Sequence, residues 1–145
     1  MNIGLIRSAL AERVKMCTNV ERAYAFMPDA LVLPCAVIAP GETFVSYPET
    51  INRGMSAIMF RVILFASRSS DKAGQALLDT WLSTGIGLTT SVVEALHDNT
   101  VPLGGGGQTC TVEQATDYGV WADSSGLEYY KVDLLVRVVA TRVEI

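Results

Sequence analysis

The nine residues from Ile58 to Ala66 limit the fold more than any other part of this chain. In an extended segment, Phe60, Val62, Leu64 and Ala66 face one side and Met59, Ile63 and Phe65 the other, with Arg61 the sole charge. A strand that is apolar on both faces belongs in the middle of a sheet. The rest of the chain must therefore supply flanking strands and the helices that cover them.

Those elements are readable from period and punctuation. Ile3, Ile6, Leu10 and Val14 recur at three- and four-residue steps, which predicts an amphipathic helix over residues 3–16 with Arg7, Glu12, Arg13 and Lys15 outward. Two short strands follow, from Arg22 to Met27, stopped by Pro28, and from Cys35 to Ala39, introduced by Pro34 and closed by Pro40-Gly41. Residues 41–57 read as a long connection, since Gly41, Pro48, Asn52 and Gly54 interrupt its apolar content. Long connections in compact domains are usually functional or disordered. Two readings of it stay open: a loop folded back on its own core, or a contact with a partner.

Ser69, Ser70 and Asp71 offer N-cap chemistry for a helix through Ser83, with Gly85 as its stop. Ser91 and Glu94 have capping-box spacing, so Val92 to His97 is a short third helix. Gly104 to Gly107 reads as a hinge and Gln108 to Ala115 as a strand. The end is a hairpin: Tyr118 to Ala122, a turn at Asp123-Ser124-Ser125-Gly126, and a long strand from Leu127 to Ala140. The expected fold is α+β: a single domain over residues 1–145, with a mixed, mostly antiparallel sheet, two to three helices packed on it and a C-terminal β-hairpin.

Charge narrows the function. From Ala73 to Tyr130 there is no Lys or Arg, while Asp79, Glu94, Asp98, Glu113, Asp117, Asp123 and Glu128 all fall in that stretch. Residues 1–72 carry eight bases against six acids, and residues 73–145 three against nine. A surface that grips a phosphate backbone needs clustered bases, so tight nucleic-acid binding is disfavoured. The acids are either a solvated face or a surface that lies beside something negative without holding it. The apolar runs are far shorter than the roughly 20 residues that cross a bilayer, and no secretory leader is expected. Half the residues are hydrophobic, which hints at apolar surface buried against another subunit.

Catalytic signals are thin. Cys17, Cys35 and Cys110 fit neither a disulfide framework nor a zinc site, and as nucleophiles they have only His97, with Asp98 beside it, as a base. Gly104 to Gly107 lacks the Lys-Ser/Thr of a phosphate loop, and Gly85-Ile86-Gly87 has Thr90 where a third glycine would stand. Trp121, Tyr129 and Tyr130 could stack bases but have few cations near them, so core or subunit contact is the better assignment. No catalytic residue, metal or cofactor is expected.

The order of elements carries more. A helix beginning Ile3-Gly4-Leu5-Ile6-Arg7, two strands marked by proline, a loop ending Asn52-Arg53-Gly54-Met55, a strand into Ser67-Arg68-Ser69-Ser70-Asp71-Lys72, the helix Gln75-Ala76-Leu77-Leu78-Asp79 and a hairpin through Gly126-Leu127-Glu128-Tyr129 resemble the tail terminator proteins of long-tailed phages of actinobacteria. The resemblance spans nearly the whole chain. It implies a structural virion protein, no enzyme, whose copies form a hexameric ring at the head-proximal end of the tail after assembly in the host cytoplasm. Such a ring caps the tail tube, stops its polymerisation and joins the tail to the head–tail connector and neck, while genomic DNA passes through without tight binding. Phe44, Tyr47, Arg53 and Met55 are then candidates for contact with the tube or the adjacent subunit, because aromatic, Met and Arg residues are enriched in interface cores. Asp117, Asp123 and Glu128 are candidates to face the lumen. Two alternatives stand beside this reading: another neck component of the same phage, and a free-standing α+β module binding a small molecule between its helices and sheet.

Overall fold

The computed structural model describes residues 1–47, 55–68, 71–97 and 103–141. Five strands form one mixed sheet in the order β1-β2-β3-β5-β4. They are β1 (Arg22–Tyr24), β2 (Cys35–Ser46), β3 (Met55–Ser67), β4 (Gly107–Ala122) and β5 (Glu128–Thr141), joined by helices α1 (Ile3–Lys15), α2 (Asp71–Leu82) and α3 (Val92–Leu96). The α+β class, the three helices and the C-terminal hairpin of β4 and β5 agree with the sequence reading.

The apolar segment at Ile58 is the middle strand. β3 pairs antiparallel with β5 from Met55 opposite Thr141 to Ser67 opposite Tyr129, and on its other side with β2. Ile58, Phe60, Val62, Leu64 and Ala66 of β3, with Val132, Leu134, Val136 and Val138 of β5, are wholly or almost wholly buried on one face. Ile6, Leu10 and Val14 of α1, Leu78 and Trp81 of α2 and Val92 and Leu96 of α3 complete that core. At about 1.5–3 kcal/mol for each fully buried large apolar side chain, this layer dominates the favourable side of folding.

Local chemistry fixes the helix ends. Asn2 Oδ1 accepts from the Leu5 N–H at 3.1 Å, and Arg13 and Lys15 sit in the last turn of α1, where cations suit the helix dipole. Ser91 accepts from the Glu94 N–H at 3.2 Å and caps α3. The reciprocal half of the expected capping box is not made: Glu94 Oε1 accepts instead from the Gly85 N–H at 3.1 Å, tying α3 to the turn after α2. Gly105, at φ +70, is a position where an added Cβ would lie 2.4 Å from the Asn2 carbonyl oxygen, so the glycine run is a tight turn against the start of α1.

Three strand expectations are corrected. The strand begun at Arg22 ends at Tyr24, because β1 and β2 are parallel and the chain must return to the start of β2. The segment from Cys35 does not end at Pro40-Gly41 but runs to Ser46, and Met55 to Ala57 already belong to β3, so most of the long connection is strand. The register shift between Pro40 and Val45 absorbs the Pro-Gly pair as a bulge, and β1 covers β2 only from Cys35 to Val37, leaving Pro40 on an edge that tolerates proline. The two strands expected over residues 108–122 are one, β4, whose register shifts at Val112/Gln114 and Thr116/Gly119 with Asp117 at φ 55.

Gly74, inside α2, explains how the helix reaches the sheet. A Cβ there would stand 2.7 Å from both the Ser67 carbonyl oxygen and Tyr130 Cδ2. Gly74→Ala therefore lowers stability by about 1–3 kcal/mol in urea unfolding, although alanine is the better helix former; a stabilised variant would contradict this close approach.

Candidate functional site: the open face of the sheet

All three helices lie on one face of the sheet. The opposite face is covered at one end by residues 27–33, the later part of the return from β1 to β2. Leu31 and Leu33 pack there against Cys35, Val37 and Phe65, with Tyr24, Ile63, Trp121 and Tyr129 around them. Phe65 meets Trp121 and Tyr129 edge-on, and Trp121 stacks on Tyr129 at 5.8 Å between ring centroids.

Beyond this small core the face turns polar around one acid. Asp133, opposite Ile63 and Thr116 in the ladders, is 0% exposed, with Lys131 Nζ 3.1 Å from Oδ1 and Arg61 Nε 3.7 Å from Oδ2. A buried carboxylate is tolerable only with such partners. By strand alternation Arg137 and Leu135 share this face with Met59 and Arg61. The face thus carries three cations and one acid in its middle. A groove of about 500 Å³ runs over it, lined by Gly41, Glu42, Arg61, Thr116, Asp117 and Leu135 among others. That groove opens away from the helices, not between helices and sheet.

The expected contact residues are placed apart. Phe44 is on β2 and not on a loop; it is half-buried, edge-on to Phe60 at 5.3 Å and beneath the Arg7 guanidinium at 5.9 Å, and packs against the core. Tyr47 follows the end of β2 and is 46% exposed. Met55 opens β3 at the same end of the sheet, and Arg53 lies outside the described residues.

The expected lumen acids are likewise dispersed. Asp117 is exposed on the β4 bulge, six residues before Asp123 and so about 15–20 Å from it along the strand. Asp123 Oδ1 accepts from the N–H of Ser125 and of Leu127 and from the Ser125 hydroxyl, and Oδ2 from the Tyr129 hydroxyl. The Ser125 hydroxyl first, then the Tyr129 hydroxyl and the two amides, hold its carboxyl below the usual aspartate range. Glu128 pairs with Arg68. Asp133 is interior to the sheet, not at an edge.

None of the three cysteines is prepared as a nucleophile. Cys17, Cys35 and Cys110 are buried, and burial pushes the Cys35 thiol up to about 12 and that of Cys110 to about 11, the latter against a lowering by Arg13. His97 Nε2 accepts from the Val112 N–H at 2.9 Å, so the nitrogen that would serve as a base is already occupied. Among the described residues, no three His, Cys, Asp or Glu side chains converge as a metal site would need. No helix among them is long and apolar enough to cross a membrane. In comparison with known proteins, no family model and no curated protein matches the chain.

Two outcomes follow from these placements. Phe44→Ala costs about 2–4 kcal/mol by chemical denaturation while Tyr47→Ser costs about 1 kcal/mol or less, and equal effects would contradict the placement of Phe44 against Phe60. Native protein at pH 8 reacts with iodoacetamide about a hundredfold more slowly than in denaturant, because its thiols stay protonated and covered. Labelling of any of the three at the rate of a free thiol would contradict their burial.

Proposed function

We propose that this chain is a structural subunit of a phage tail: a tail terminator whose copies close into a ring at the head-proximal end of the tail tube. The observation that carries the reading is the uncovered side of the sheet. Half-buried Met59, Leu135 and Val139 and the cations around Asp133 lie there, and among the described residues no helix covers them. A sheet face of this kind on a small domain is completed by another protein surface.

The strand edge at β4 is a poorer contact. Among the described residues no strand pairs with its outer side, but two bulges and the exposed acids Glu113 and Asp117 interrupt it, which blunts edge-to-edge pairing. The open face, with Arg61, Lys131 and Arg137 against Asp133, is where neighbours meet. The base-free side, with Asp79, Glu113 and Asp117, then turns to the bore, where DNA passes without being held. Tube protein binds one rim of the ring and the connector the other.

Polymerising tube protein in the presence of the chain tests the assignment. Tubes that stop growing and carry a ring at one end in electron micrographs are the expected result. Unchanged tube growth, with the chain bound instead to neck proteins, would move it to another neck component.

A further inference from the structure

A second cavity lies where residues 27–31 meet the β4–β5 turn. It measures about 650 Å³ and is lined by Met27, Leu31, Trp121, Leu127 and Tyr129, with Asp29 and Asp123 the charged residues on its wall among those described. The stacked Trp121 and Tyr129 form its aromatic side, and Met27 and Leu127, 57% and 62% exposed, stand at its rim. An apolar cleft whose charges are both negative selects an apolar side chain that travels with a cation. Asp123, kept ionised by the turn it caps, supplies that sign throughout the neutral range.

We propose that this cleft receives Lys15 and Met16, at the end of α1, from a second copy of this chain. Met16 is 77% exposed and follows exposed Lys15 in the last turn. Charge separates this pair from Ile86, Val120 and Leu5 among the other exposed apolar positions. Ile86 is fully exposed but has no charged residue within several positions, and Val120 lies within the base-free stretch. Leu5 is near Arg7, which is already spent over the Phe26 ring at 4.6 Å. Methionine also suits the wall, since thioether sulfur packs well against aromatic rings.

The knob and the cleft cannot meet within one molecule. Met16 borders Leu88, Thr89 and Ala95 on the helical side, whereas the cleft opens on the opposite face of the sheet. The contact is therefore head-to-tail, and a head-to-tail contact generates a ring when its rotation closes. This inference rests on the self-assembly that the proposed function requires, and it adds a second pair of surfaces to the contact at the open face.

A charge swap tests it on the full-length chain. Lys15 and Asp29 are exposed, so Lys15→Asp and Asp29→Lys leave the fold intact, which circular dichroism verifies. In sedimentation velocity each single variant weakens self-association by about tenfold or more, and the double variant returns to within about threefold of wild type. Assembly also moves Trp121 emission to shorter wavelength, against a constant background from wholly buried Trp81. Singles that assemble like wild type, or a double variant no better than either single, would overturn the docking while leaving the ring assignment standing. A wild-type chain that stays monomeric at millimolar concentration would overturn the docking too, and the tube-growth experiment then judges the terminator reading separately.

Discussion

The antiparallel ladder between β3 and β5 is the constraint from which the rest of the structure follows. It joins Met55 through Ser67 to Thr141 through Tyr129 without a register shift. Because side chains alternate, an unbroken ladder of that length sets two full faces at once. One receives Ile58, Phe60, Val62 and Leu64 with Val132, Leu134, Val136 and Val138, and draws all three helices to it. The other receives Arg61 and Asp133, and it is the face on which a partner can be specified.

Asp133 shows how the two faces differ in purpose. An ion pair in a sheet interior is weak evidence for stability, since desolvation offsets much of the attraction. Its value here is better sought in specificity: Arg61 and Lys131 are drawn to one buried acid in the middle of a mixed polar and apolar face. Residues 27–33 add to the same surface, because the parallel pairing of β1 with β2 requires a crossing connection. The cleft beside Trp121 is thus a product of topology, formed where that crossing chain meets the β4–β5 turn.

Much of the fold was legible in the sequence, for physical reasons that also explain the failures. The central strand, the helices and the closing hairpin were carried by hydrophobic period and by turn chemistry such as Asp123 to Gly126. Pro40-Gly41 misled because punctuation of that kind marks a bulge as readily as a strand end, and only the partner strand decides which. For the same reason Phe44 reads as a loop residue although it lies on β2. The break at Thr116–Asp117 hid the continuity of β4 in the same way. The candidate surface was less legible, since Asp29 and Asp123 are far apart in sequence and one of them reads as a turn residue. The pairing of Arg61 with Asp133 did leave a signal: Arg61 is the sole charge in its apolar strand run, and Asp133, between Lys131 and Arg137, is an acid in the strand that pairs with it.

The central claim is that the uncovered side of this sheet is completed by further copies of the chain in a closed ring. Light scattering coupled to size exclusion, run over a wide range of loading concentrations, tests it most directly. The account predicts one species at six times the 15.6 kDa chain mass, its share rising with concentration and no larger species beyond it. A particle of 15.6 kDa at every concentration, or growth without a limit, would contradict it.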